Sequence, residues 1–280
     1  MRYIQIGALA LFCLFNVGPC VAEEAKAAAE PVEQEPARDA ALPVDTGPAY
    51  DEPWSGFYAG ISIGSRTLKA DWTTTEVRDP DGFEADPLSD PQASLEDSKV
   101  EPGLYLGYSW NPGNWVFGLE IISQYYKNSA SIDDRIPGLG DPDSNPRSYV
   151  VVNTENSDSF DPRVRAGFLP IPQLLLFSTL SRTGLDVEVT AVCPEDGNVC
   201  NPFLETPVSH RAATTLDATV IGLGAEYKLD RLQLRLEYLY ADYGSFDFTA
   251  MQENTLLSFG ADAQMDLTTR TLVLGLSYGL

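Results

Sequence analysis

The chain has 280 residues, 44% of them apolar, with 41 acidic against 18 basic side chains and a formal charge of −23. That balance excludes nucleic acid as a partner, because nothing could neutralise a run of phosphates, and it excludes a polybasic membrane-surface binder. Twenty-two Gly and thirteen Tyr, many in short alternating runs, favour β structure over amphipathic helix.

Residues 1–22 read as a secretory signal peptide. One cation, Arg2, precedes the apolar run Tyr3–Val17, and small residues follow up to a cleavage position after Ala22. Gln5, Asn16 and Pro19 shorten the apolar stretch too much for a spanning helix. Acylation at Cys13 or Cys20 is disfavoured by the preceding Phe12 and Pro19. Residues 23–53, rich in Ala, Pro and acids, have almost nothing to bury and are expected to be a disordered periplasmic linker.

From Trp54 to Leu280 the sequence resolves into eight alternating segments. In the first, Gly56–Arg66, Phe57, Ala59, Ile61 and Ile63 oppose Tyr58, Ser62 and Arg66. Glu101–Trp110 sets Leu104, Leu106, Tyr108 and Trp110 against Glu101, Gly103, Tyr105 and Gly107. Trp115–Tyr125 sets Phe117, Leu119 and Ile121 against Gly118, Glu120 and Gln124. Phe160–Phe168 sets Val164, Ala166 and Phe168 against Arg163 and Arg165. Gln173–Thr183 is apolar on both faces and does not declare its orientation. Val220–Leu229 carries Glu226 and Lys228 on its minority face, Leu232–Tyr240 carries Gln233, Arg235 and Glu237, and Leu272–Leu280 alternates large apolar with small residues.

Segments of about ten residues with an apolar face suit a tilted crossing of the hydrocarbon layer, and closure is required because lipid cannot satisfy an open edge. Connections alternate between short turns (Asn111–Asn114, Pro170–Pro172, Asp230–Arg231) and stretches of roughly 27–33 residues, as periplasmic turns and extracellular loops do. The expected fold is an all-β, eight-stranded antiparallel transmembrane barrel over 54–280 with four long extracellular loops. Trp54, Phe57, Trp110, Trp115, Phe168 and Tyr278 would form the periplasmic aromatic girdle, and Trp72, Tyr125, Tyr240 and Tyr243 the outer one. A soluble lipocalin-like barrel is the competing architecture, with the apolar parity turned inward.

Arg66, Arg163, Arg165 and Arg235 with Glu101, Glu120, Glu226 and Glu237 would then form an ion network inside the barrel. Eight strands leave an interior that side chains can fill, so the network is expected to plug the lumen rather than line a wide channel. Cys193 and Cys200 bracket a turn-forming Asp-Gly-Asn and are expected to form a loop disulfide. The acids of 70–99 and 127–156 lack EF-hand spacing and read as a solvated acidic fringe, with cation bridging to lipopolysaccharide phosphates the sharper alternative. The single histidine, His210, follows Ser209 in an expected loop at 187–216, a poor arrangement for a lipid-modifying hydrolase. No metal, cofactor or catalytic set is read from the residues.

Trp54-Ser55-Gly56-Phe57-Tyr58-Ala59-Gly60-Ile61-Ser62-Ile63-Gly64 resembles the opening strand of the small outer-membrane "porin family" barrels of alphaproteobacteria. Glu237-Tyr238-Leu239-Tyr240-Ala241-Asp242-Tyr243-Gly244 resembles their penultimate strand. The resemblance, covering about 54–280, implies an abundant surface protein related to opacity-type antigens. Outer-membrane lipid, lipopolysaccharide and the barrel-assembly machinery would be its partners, and a monomer is favoured. Such barrels usually end in Phe, the residue the assembly machinery prefers; this chain has Leu280, with Tyr278 two before it, a departure that bears on insertion efficiency.

Overall fold

The computed structural model describes residues 54–78, 84–85, 90–139, 147–158, 160–194, 207–252 and 260–280, with only the backbone at 84–85. The signal and linker segments assigned above lie outside them. The strands are β1 (Gly56–Arg78), β2 (Glu84–Ala85), β3 (Gln92–Trp110), β4 (Trp115–Gln124), β5 (Lys127–Asp133), β6 (Tyr149–Asn156), β7 (Asp161–Ile171), β8 (Leu174–Cys193), β9 (Val208–Leu229), β10 (Leu232–Met251) and β11 (Gly260–Gly279).

Antiparallel ladders run β1–β3–β4–β7–β8–β9–β10–β11 and return to β1, so the wall closes on eight staves as the sequence predicts. Two neighbouring staves are each broken once. β4 is followed by β5 after Tyr125 and Tyr126, and β6 precedes β7 across 157–160. The β5–β6 hairpin continues these staves upward, with β6 laddered to the outer half of β8.

The strands are much longer than the sequence reading allowed. β1 has 23 residues, β9 has 22, and β8, β10 and β11 have 20 each. At about 3.3 Å per residue, tilted as in known barrels, such a stave stands roughly twice as tall as the ~25 Å apolar band of a membrane barrel. The stretches expected as long loops are therefore mostly strand. What remains between strand ends is 79–91 (interrupted by β2), 134–148, 194–207 and 252–259, still longer than the opposite turns. The acids Asp71, Glu76, Glu96 and Asp97 sit on β1 and β3 rather than in a loop.

This extension has a physical signature that the amphipathic pattern encodes. Along β11, even residues point outward throughout. Leu272, Leu274, Leu276 and Tyr278 are exposed, and above them Asp262, Gln264, Asp266, Thr268 and Arg270 occupy the same face. The odd face reverses the exchange: Val273, Gly275 and Ser277 below, Ala261, Ala263, Met265 and Leu267 above. β1 does the same, outward Phe57, Ile61 and Ile63 giving way to Thr67, Lys69 and Asp71 while inward Tyr58, Ser62 and Arg66 give way to Leu68, Ala70 and Trp72. Lipid demands an apolar exterior, whereas water demands an apolar interior. The lower barrel is thus built inside out, and the upper barrel has a core like that of a soluble protein.

That upper core joins Leu68, Trp72, Leu95, Val150, Val152, Leu185, Val187, Met265 and Leu267, with Ile136 and Leu139 from the chain after β5 roofing it. Several expectations change accordingly. Trp72 and Tyr243 are buried facing the lumen instead of standing in an outer girdle, while Tyr125 and Tyr240 do face outward. Trp54 is also buried, its indole N–H donating to the Pro172 carbonyl at 2.9 Å. Phe57, Trp110, Trp115, Phe168 and Tyr278 are exposed as the lower girdle requires. The undeclared segment settles with Leu175 and Phe177 inward and Leu176 and Leu180 outward.

At the outer end, Arg78 bonds Asp262 at 2.7 Å and ties β1 to β11. The Arg78 bond holds the Asp262 carboxyl below the usual carboxylate range. A depressed folded-state pKa means stability present above the unfolded value and lost as pH falls through the folded one. Amide protection at the β1–β11 tips, taken relative to the intrinsic exchange rate at each pH, is expected to fall on acidification through that range, and Asp262→Asn to flatten the dependence.

Candidate functional site: the ion-paired lumen

The lower lumen is filled by three guanidinium groups and three carboxylates, from four strands whose inward parity carries them. Glu120 of β4 is the hub. Arg235 of β10 meets it with both terminal nitrogens, at 2.9 and 2.6 Å. The Tyr58 hydroxyl donates to it at 2.9 Å, and Arg163 and Arg165 of β7 each stand 3.8 Å away. Arg235 Nε also reaches Glu226 of β9 at 3.0 Å, and Glu226 bonds Arg165 with its second oxygen. Arg163 donates to both oxygens of Glu237 at 3.0 and 2.9 Å, and Thr179 adds a 2.6 Å bond to the same carboxylate. All six side chains are almost wholly shielded from solvent.

Aromatic rings wall this cluster. Arg165 lies 4.7 Å from the Phe177 centroid and 5.5 Å from that of Tyr58; Arg235 lies 4.3 Å from Tyr105. Planar guanidinium groups stack on such faces while their edges serve carboxylates. The rings need room, which glycine provides: a Cβ on Gly107 would sit 2.3 Å from the Tyr58 ring, and one on Gly60 2.4 Å from that of Tyr105. Beneath the cluster, Trp54, Val116, Leu169, Leu175 and Phe177 close the turn-side mouth, and Lys228 sits 5.6 Å over the Trp54 ring.

Six of the eight residues predicted for the network therefore meet. Glu101 and Arg66 do not. Glu101 shares the inward parity on β3 but is only half-buried, its backbone carbonyl accepting from Gln124 at 3.0 Å. Arg66 lies one tier higher, bonded to Asn156 Oδ1 at 2.6 Å and stacked 5.2 Å over Tyr126, beside a cavity of about 50 Å³. The sequence placed both on the correct face; strand parity does not report height along the barrel. Tyr58, Tyr105, Phe177 and Thr179 were missed as members; Tyr58 and Tyr105 share the parity of the inward charges, whereas Phe177 and Thr179 lie on the segment whose orientation the sequence does not declare.

Cys193 is buried at the top of β8, and Cys200 lies outside the described residues, so their pairing stays an expectation. His210 is on β9, not in a loop, and alternates with Ser209, so the two side chains leave the strand on opposite faces and cannot bond each other.

A strand-closed wall, an exposed apolar belt and a buried polar lumen define a transmembrane barrel of the outer-membrane type, and the lipocalin-like alternative, with its apolar parity inward, does not describe the lower half. The sequence profile of the outer membrane protein beta-barrel domain matches residues 40–279, and the chain belongs to that family and to the cell outer membrane. Among solved structures it is similar to the attachment invasion locus protein Ail of Yersinia pestis (11% identity, covering 80% of this chain and 99% of that one, TM-score 0.37). It is likewise similar to the outer membrane protease OmpT of Escherichia coli (10%, 81% and 97%, 0.48) and to Neisserial surface protein A (12%, 81% and 98%, 0.33). Comparison with curated protein sequences gives no match.

Proposed function

We propose that this chain is a closed, non-catalytic structural barrel that carries a rigid acidic column above the membrane as a surface-exposed element. The observation that supports this reading is the filling of the lumen: the Trp54 cluster, the six-residue ion network and the upper apolar core follow one another, with a small cavity between the last two. A wide aqueous path would require hydrated charges facing one another across a gap, and here the charges are paired and shielded. The exposed faces above the belt carry Asp71, Glu96, Asp186, Glu188, Asp217 and Asp266 on ladder-paired strands, which suits a fixed contact surface. Acyl chains and the lipopolysaccharide around the belt are its partners in this reading, as a monomer.

Planar-bilayer recording of the refolded full chain tests the closed lumen. No steady conductance is expected from the wild type; sustained openings that change on Glu120→Gln would overturn the proposal in favour of a narrow pore. Unchanged lipid A mass spectra with and without the chain are expected for the non-catalytic part.

A further inference from the structure

Arg66 is the one buried arginine among the described residues without a carboxylate in ion-pair range. Its Nη1 is bonded to Asn156 and the Tyr243 hydroxyl stands beside the guanidinium, but Nε and Nη2 donate no well-aligned hydrogen bond. Both nitrogens belong to a side chain lining the cavity above the ion network. Other lining groups are also short of partners: the Tyr126 hydroxyl and Nε of Arg163, both donors, whereas Asp161 has the Thr183 hydroxyl beside it as a donor. An isolated buried cation is costly, and unmet donors of this number call for an acceptor. A cavity of about 50 Å³ holds a few water-sized occupants and no large molecule.

Access comes through a flaw in the wall. Above Gly103, β3 keeps its ladder to β1, but β3 and β5 share none among the described pairings. They are joined instead by Asp97, whose carboxylate accepts from the Ser129 N–H and the Asn128 amide, each at 3.0 Å. Lys99 lies opposite Arg66 in the β1–β3 register and shares its inward parity; it is paired with Asp97 at 3.7 Å, yet its side chain is 44% exposed. An inward residue that open to water marks a hydrated slit, and the Lys99–Asp97 pair leaves its mouth without net charge.

We propose that the Arg66 cavity is a binding site for a small monovalent anion, a halide or a planar oxyanion of nitrate or formate size, admitted through the β3–β5 slit. Asp161 on the same cavity limits the charge that can be accommodated and disfavours divalent anions. The guanidinium fork supplies two N–H vectors and the Tyr126 hydroxyl a third.

The test is anomalous diffraction at the bromine edge from the full chain refolded and crystallised in bromide, so that a slowly exchanging site is filled during assembly. A bromide peak in contact with Arg66, lost in Arg66→Gln, is the expected result. Water alone in the cavity, bromide confined to exposed cations such as Arg270, or a peak that survives Arg66→Gln would overturn the site. Should Arg66→Gln not assemble, wild-type chain refolded in equal bromide and nitrate serves instead. Nitrate is expected to lower the peak while sulfate does not, and a peak indifferent to nitrate, or displaced equally by sulfate, would overturn it too. Neither outcome depends on whether the barrel conducts.

Discussion

Replacing Arg235 with Met is expected to lower the unfolding free energy of the refolded barrel by about 3–5 kcal/mol, the cost of leaving buried charge without its partner. Arg235 serves Glu120 with two bonds and Glu226 with a third, and its removal leaves three carboxylates facing two guanidinium groups in a space closed to water. The pair Arg235→Met with Glu120→Gln should lose distinctly less than the single change, because Arg163 with Glu237 and Arg165 with Glu226 then remain as matched pairs. Denaturant titration in lipid vesicles reads both. If the double variant is as unstable as the single one, the network acts through stacking of the Arg235 guanidinium on Tyr105 and Phe177, not through charge balance. The comparison matters because a buried ion pair is weak support for stability when set against apolar filling, yet breaking one is severe. A membrane barrel has a separate reason to keep such pairs: its interior must accept residues that alternate with a lipid-facing set, and polar interiors discourage the inverted register.

What could be read from the sequence follows from what period-two alternation reports. It gives parity, so the shared face of Glu120, Arg163, Arg165, Glu226, Arg235 and Glu237 was legible, and inward once the apolar face is turned to lipid, as was closure on eight staves. It does not give height. Arg66 and Glu101 obey the same parity as the network but stand above it, and only the ladder register, Gly64 with Glu101 and Arg66 with Lys99, shows that. Alternation also ends, for a reader following one apolar phase, wherever the phase swaps. At Arg270–Leu272 and again at Gly64–Leu68 the apolar set changes face while the strand continues, and outward acids such as Asp71 and Asp266 then look like loop. Nor do girdle residues announce themselves by type. Trp72 and Tyr243 are aromatic and near the rim, but their parity belongs to the lumen, and there they are buried. The β5–β6 hairpin was hidden for a further reason: the outward positions of β5 are all polar (Lys127, Ser129, Ser131 and Asp133), and both staves to which it belongs are interrupted below it.

The phase swap itself makes the strongest prediction about where the membrane ends. On β11 the outward series passes from Leu274 to Thr268 without any change in backbone direction, so one substitution can be moved along a single face. Leu274→Arg is expected to destabilise the barrel in lipid vesicles by about 2–4 kcal/mol, the range for a cation held at the midplane on the lipid side. Thr268→Arg, above the belt and in water, should cost almost nothing. On the opposite face the order reverses. Leu267 is fully buried in the upper core, and Leu267→Ala should cost about 2–5 kcal/mol as a large-to-small core change. The second half of the comparison decides between two pictures of the outer column. A loose collection of loops over a short barrel would tolerate Leu267→Ala, since a loop residue has no packed core to vacate. A strand-built column with a soluble-type interior would not, and its loss should persist in detergent, where the cost of Leu274→Arg shrinks because micelles admit water more readily than a bilayer. Equal tolerance at 267 and 268 would therefore remove the upper core, and with it the account of why the apolar face turns inward above the lipid.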